Sequence, residues 1–189
     1  MKKVIRNIIK GLILFFCFAG KAQEPSFYIR SIRSIHLEDT AGILQPLRFK
    51  EVDVVYNKIV QMSADNITVG SNGTYEVSAF ANINPGVMGS SSKDSIQMEL
   101  YLIKNYKKPG ETILGSSKFG FTYGNFDVAS GLHIAPAKVQ LYSGDDLSLY
   151  VKILPTSTIG INKSAKYDHV TKPTGMDQIA GMRIVKVSE

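Results

Sequence analysis

Three histidines and a few serines are the residues of this chain that could support acid–base or nucleophilic chemistry. A hydrolytic triad needs a nucleophile, a base and an orienting acid that the fold brings together. His36, His133 and His169 are scattered without a supporting motif, and Ser116 lacks the second glycine of a nucleophile elbow. We therefore predict that the chain is not an enzyme and that each histidine is a surface or strand-end residue. A hydrolase on a β-sandwich is the least favoured alternative.

Thiol and metal chemistry have little support. Cys17 is the only cysteine and lies within an apolar run, so the chain beyond that run has no thiol for a disulfide, zinc or nucleophilic attack. Lipid attachment at Cys17 is an alternative, although bulky residues at 14–16 precede it. Asp145-Asp146 and Asp65-Asn66 offer oxygen ligands, but two adjacent side chains fall short of the roughly six to eight that calcium takes. We expect turn stabilisation there, and neither a metal nor a cofactor.

The first 22 residues have the pattern of a secretory signal. A basic segment precedes an apolar run at 12–18 that is too short to span a bilayer, and Gly20 and Ala22 supply small side chains for cleavage after Ala22. This segment holds five of the 22 basic residues and none of the 16 acidic ones, which leaves a net charge of +1 on the rest. We predict a secreted, periplasmic or surface-associated protein with no nucleic-acid partner and no membrane span.

Alternation of apolar and polar residues with a period of two dominates the rest of the chain and predicts β-strands with one buried face. Residues 73–83 show it best, with Tyr75, Val77 and Ala79 on one face, and runs at 96–106 and 147–154 repeat it. Turn residues such as Ser143-Gly144-Asp145-Asp146 separate the runs. The pattern predicts an all-β sandwich or barrel. Residues 27–37 are read as a strand or extended arm, with a short helix as the alternative.

Several short motifs follow one another in a distinctive order: Pro46-Leu47-Arg48-Phe49, Tyr56-Asn57, Gly73-Thr74-Tyr75, the stretch 139–149 and the stretch 179–184. In this order they resemble the globular head of complement C1q-type proteins, in the C1q/TNF-like jelly-roll superfamily, over residues 46 to 187. The closing strand departs from the family pattern, because Ile179 and Met182 stand where phenylalanines usually flank the glycine. The residues that carry the resemblance are Phe49, Tyr56, Asn57, Gly73, Tyr75, Gly144, Asp145 and Gly181.

The resemblance implies a two-sheet antiparallel jelly roll of the C1q/TNF type and a homotrimer, here as a bacterial secreted member. It does not imply complement activity, because ligand functions of a fold lie in its variable loops. We divide the chain into a signal peptide at 1–22, an N-terminal arm or first strand at 23–45, and a C1q-like domain at 46–189.

Aromatic residues on the second face of a strand need a partner outside the domain core. The predicted trimer contacts are of this kind, with packing inside the domain as the alternative: Phe80, Tyr101, Phe121, Tyr123 and Tyr150. The loops at 86–94, 107–114 and 156–173 are the predicted ligand surfaces for a protein or glycan. The last loop carries a basic set of side chains, Lys163, Lys166, His169 and Lys172. We predict an exported homotrimeric binding module, with a structural trimerising head of a surface or extracellular assembly as the alternative.

Overall fold

The computed structural model describes residues 26–31, 33–63, 66–87, 90–126, 129–163, 169–171 and 178–188. These residues form eleven strands and one 3₁₀ turn at Glu51–Asp53. The strands are β1 Ser26–Ser31, β2 Leu44–Pro46, β3 Val54–Asn57, β4 Val60–Ser63, β5 Asn66–Val69, β6 Gly73–Ile83, β7 Ser95–Lys104, β8 Thr112–Thr122, β9 Ser130–Leu141, β10 Asp146–Ile153 and β11 Ala180–Ser188. Within the described ranges, no helix is long and apolar enough to cross a membrane.

The strands form two antiparallel sheets, as the resemblance to C1q-type heads implied. Sheet A has the order β3-β1-β11-β6-β9, and sheet B has the order β4-β5-β10-β7-β8 with β2 paired to β10. The all-β, two-sheet antiparallel sandwich is thus confirmed. β1 lies between β3 and β11, so residues 26–31 form a strand of the sandwich and not an arm outside it.

The inner faces of the two sheets supply the core. Along β6 the burial alternates, and the buried side chains include Tyr75, Val77 and Ala79, which the sequence pattern placed on one face. Tyr75 is fully buried, and its hydroxyl donates a hydrogen bond to the carbonyl oxygen of Ser71 at 2.8 Å. The polar tip of this large ring is therefore satisfied at the edge of the core. β7 packs Met98 and Leu102 on the same core from sheet B.

β8 and β9 close one side of the sandwich, where an edge of sheet B meets an edge of sheet A. The backbone N–H of His133 donates to Ser117 Oγ at 3.1 Å across this junction. A Cβ at Gly115 would lie 2.5 Å from Ile134 Cγ2, so glycine allows the two strands to approach. The outer face of sheet A and the edge strand β8 are consequently neighbours on the surface.

Candidate functional site

The β9–β10 turn shows what the adjacent carboxylates do. Gly144 has a φ of +91°, which a glycine adopts without strain, and Asp145 Oδ2 accepts the Tyr142 N–H at 2.9 Å. Asp145 Oδ1 also accepts a hydrogen bond from Asn105 Nδ2 at 2.7 Å. Asp145 therefore holds the turn and the neighbouring loop in place, as the Gly-Asp motif indicated.

Asp146 is likewise occupied by partners of its own domain. Thr68 Oγ1 donates to its Oδ1 at 2.5 Å, and the Lys108 ammonium donates to its Oδ2. Burial acts to raise the pKa of Asp146, but the hydrogen bonds from Lys108 and Thr68, together with the charge of Lys108, outweigh it and lower that pKa. In the described part of the chain, no three histidine, cysteine or acidic side chains converge where they could hold a metal ion.

Two further motif residues shape the β3–β4 turn. Asn57 Oδ1 accepts the Val60 N–H at 3.1 Å, and its amide nitrogen donates to the Val60 carbonyl at 2.9 Å. Tyr56 lies half-buried beside it with the Lys58 ammonium 5.4 Å from its ring centroid. Phe49 and Gly73 are buried in the fold. These residues stabilise the sandwich, and Asn57 also lines an open depression of about 480 Å³ beside Gly70 and Ser71.

The outer face of sheet A is centred on Phe80. In register, Phe80 on β6 lies directly opposite Gly181 on β11 and His133 on β9. A Cβ at Gly181 would be 2.6 Å from Phe80 Cε1 and 2.7 Å from the Ile29 carbonyl oxygen, so the phenylalanine ring lies on the glycine. This contact explains why the closing strand has a glycine at position 181.

A hollow of about 310 Å³ opens beside the Phe80 ring; we call it the Phe80 hollow. The Phe80 and His133 rings stack with centroids 6.2 Å apart and planes inclined by 25°. The Tyr28 hydroxyl donates to Gln178 Oε1 at 2.8 Å. The lining of the Phe80 hollow is therefore mostly apolar and aromatic, and the hollow opens to solvent on the outer face of sheet A. The side chains that line it are Tyr28, Phe80, His133, Ile134, Pro136 and Arg183.

Exposed apolar side chains also follow the edge strand on the other sheet. Ile113 is 57% exposed, Phe119 39% and Tyr123, just after β8, 53%. These three residues are called the β8 edge below. Phe119 packs edge-to-face on Phe121 with ring centroids 5.0 Å apart. Unlike its neighbour, Phe121 is only 1% exposed and belongs to the core.

The tyrosines of sheet B have partners in their own domain. Tyr101 and Tyr150 lie opposite each other on β7 and β10, and the Tyr106 ring packs on Tyr150 with centroids 4.4 Å apart. The Tyr101 hydroxyl donates to Glu99 Oε2 at 2.6 Å, and the Lys152 ammonium lies 5.2 Å from its ring centroid. Burial first, and then the hydrogen bond and charge of Glu99, raise the pKa of Tyr101 to about 12. This outer face is filled by local contacts.

The five aromatic residues predicted as trimer contacts thus occupy different environments. Phe80 lines the hollow and Tyr123 is exposed beyond β8, so both have surface to offer a partner. The assignment of Phe121 as a contact is wrong, because its ring is buried opposite Ile96 in the core. Tyr150 is buried beneath Tyr106 and pairs with Tyr101, which favours packing inside the domain for these two.

His169 differs most from its predicted role as a ligand-loop residue. It is fully buried, and its Nδ1 accepts the Leu37 N–H at 3.1 Å. Because Nδ1 is an acceptor, Nε2 carries the proton and donates to the Asn162 carbonyl at 3.2 Å. The assignments of His169 as a surface or ligand residue are therefore wrong. Lys163 is exposed, whereas Lys166 and Lys172 lie outside the described residues.

No protein-family model matches this chain, and no curated protein matches it either. The chain is similar to crystal structures of murine APRIL. The structure at pH 8.0 has 9% sequence identity and a TM-score of 0.55, and the structure at pH 8.5 has 10% identity and a TM-score of 0.52. A third, at pH 5.0, has 9% identity and a TM-score of 0.51. Each match covers 87% of this chain and 100% of the APRIL chain. The fold is a jelly roll of the C1q/TNF type. At this identity the likeness shows the fold alone, and it confirms the architecture that the motif order implied.

Proposed function

We propose that this protein is an exported, non-enzymatic homotrimeric binding module whose subunits meet through the Phe80 hollow and the β8 edge. The observation that carries the proposal is the hollow itself. It places an aromatic ring and an apolar depression on the outward face of a sheet, where a single domain has no use for them. A second copy of the chain would cover this surface, as the resemblance to trimeric C1q-like heads implies.

A closed trimer requires two different surfaces on each subunit. In a cyclic assembly with three-fold symmetry, every contact is head-to-tail, so one patch of each copy meets a different patch of the next. The Phe80 hollow is concave, and the β8 edge presents exposed Phe119 and Tyr123 nearby. Packing of β8 on β9 keeps these surfaces at a fixed spacing in the rigid sandwich. A pair of complementary patches fits a ring better than a two-fold dimer.

The binding role is assigned to the loops, because the sheets serve the core and the proposed contact. The loop between β7 and β8 is well formed and exposed, with the Lys107 N–H donating to Glu111 Oε2 at 2.7 Å. Lys107 is exposed beside this ordered turn and offers a cationic group to a protein or glycan ligand, whereas the Lys108 ammonium is bonded to Asp146. A ligand role without catalysis is consistent with His169, since both of its ring nitrogens bond to backbone groups.

Sedimentation velocity of the purified, exported chain tests the assembly. We expect a single species of three times the subunit mass at micromolar concentration. Phe80→Asp places a carboxylate in the hollow and should give a folded monomer, because an unpaired charge in a contact costs far more than the lost ring. Tyr142→Asp is the matched control, since Tyr142 is exposed at the far end of β9 and outside both patches. A monomeric wild-type chain, or a trimeric Phe80→Asp variant with native circular dichroism, would refute the proposed contact.

A further inference from the structure

We propose that acid dissociates the trimer because His133 takes up a proton inside the contact between subunits. This inference rests on the proposed function and adds to it a regulatory group. It concerns an imidazole that is exposed in the single chain and that lines the Phe80 hollow. A neighbouring subunit seated on the hollow would cover this imidazole.

The position of the His133 ring is fixed by the sheet. It stacks on Phe80, its direct cross-strand partner, and leans along the strand over Gly131. A Cβ at Gly131 would lie 2.6 Å from His133 Nε2, so the ring occupies the space that a larger residue would fill. The imidazole is therefore part of the wall of the hollow.

The charges around His133 disfavour a proton there. The strands of sheet A and the adjacent β8 carry a single carboxylate, Glu76. It forms an ion pair with Arg183, whose Nη1 lies 3.3 Å from Glu76 Oε1. The Tyr28 hydroxyl, also on this face, donates to an amide and brings no negative charge. The same six strands carry five cations, Arg30, Lys118, Lys138, Arg183 and Lys186. Lys118 lies opposite Glu99 of the neighbouring β7 and Lys138 lies opposite Glu76, so Arg183 is the cation that lines the hollow together with His133.

Assembly and protonation are consequently linked. In a free subunit, water solvates an imidazolium at this site, whereas a covered hollow removes that water and leaves the proton in an apolar depression whose other charged side chain is the cation Arg183. The proton therefore binds the free subunit more tightly than the trimer. The trimer is favoured above the pH at which a histidine in water titrates, near about 6.5, and is lost as the pH falls below it.

The three-fold symmetry amplifies this effect. If each of three copies must shed one proton, the association constant falls at most about 10³-fold per pH unit. The subunit concentration at half-dissociation varies with the inverse square root of that constant, so it rises at most roughly 30-fold per pH unit.

Sedimentation velocity at about pH 8 and about pH 5, at constant ionic strength, tests the inference. The wild-type chain should be trimeric at the higher pH and largely dissociated at the lower, with circular dichroism showing a folded domain at both. His133→Gln, which cannot be charged, removes the stacked ring and is therefore compared with itself: whatever its trimer affinity at about pH 8, that affinity should not fall further at about pH 5. His133→Lys, which is always charged, should weaken the trimer even at about pH 8. His36→Gln removes another exposed histidine and should keep the wild-type response.

The outcomes separate the two proposals. A wild-type chain that stays trimeric at about pH 5 overturns the inference and leaves the proposed function intact. A His133→Gln variant that dissociates or unfolds in acid as the wild type does overturns it too, because another group then carries the effect. A wild-type chain that is monomeric at about pH 8 overturns the proposed trimer, and the acid response falls with it.

Discussion

Gly181→Ala is the substitution whose cost the structure defines most closely. The new Cβ would lie 2.6 Å from Phe80 Cε1 and 2.7 Å from the Ile29 carbonyl oxygen. Carbon atoms pack at about 3.5–4.0 Å, so each neighbour must retreat by about 1 Å. The Phe80 ring can swing outward, but the Ile29 oxygen belongs to β1, which pairs with β11 along its whole length. We expect a loss of about 1–3 kcal/mol in the free energy of unfolding, as for other overpacked sites.

Urea unfolding at one fixed subunit concentration measures this cost, because the stability of an oligomer depends on concentration. Repeating Gly181→Ala in a Phe80→Ala background removes the clash with the ring and leaves the clash with the Ile29 oxygen. The alanine at 181 should then cost less, but still more than zero, and the difference is the coupling between the two side chains.

Gly144→Ala is the matched glycine control. Nothing lies within 4 Å of a Cβ there, but the φ of +91° disfavours an L side chain. Its cost, about 1–2 kcal/mol, should not depend on Phe80. Equal costs of Gly181→Ala in both backgrounds, or no cost in either, would refute the packing of Phe80 on Gly181.

Two further predictions concern polar groups inside the domain. In a spectrophotometric titration with Tyr101→Phe as the reference, we expect Tyr101 to ionise near pH 12, and we expect Glu99→Gln to lower the pKa of Tyr101. Because this pKa is higher in the folded protein than in the unfolded chain, its contribution to the free energy of unfolding is present below about pH 10. That contribution is lost as the pH rises through about 12. An unchanged midpoint in Glu99→Gln would contradict the contact. His169→Leu should cost about 1–3 kcal/mol of unfolding free energy, because the buried Leu37 N–H loses its acceptor. Stability equal to the wild type in chemical denaturation would contradict this hydrogen bond.

The strand pattern was predictable because it depends on neighbours in sequence. β6 shows this, since every second residue from Tyr75 to Ile83 is apolar and faces the core, with Phe80 as the apolar residue of the outer face. The Gly144-Asp145 turn was also predictable from the sequence, because the Asp145 side chain accepts a hydrogen bond from a backbone N–H only three residues away. The order of such pieces was sufficient to indicate the C1q/TNF-type jelly roll.

The environments of Phe121 and His169 were not predictable in the same way. Phe121 is at the end of an edge strand whose other residues are largely exposed, and only its pairing with Ile96 turns the ring into the core. His169 is buried because Leu37, 132 positions earlier, directs its N–H at the ring. A sequence pattern carries no record of a partner at such a distance.

The sequence by itself determined the β-strands, the turns and the inward face of strands such as β6, because alternation and turn chemistry are local properties of the chain. Only the tertiary structure decided which outward aromatic residues remain open. Tyr150 is covered by Tyr106 from a neighbouring loop, whereas Phe80 lies on Gly181 at the rim of a hollow. Register and loop packing bring a distant segment over the outer face of sheet B, and they leave the hollow beside Phe80 on sheet A open.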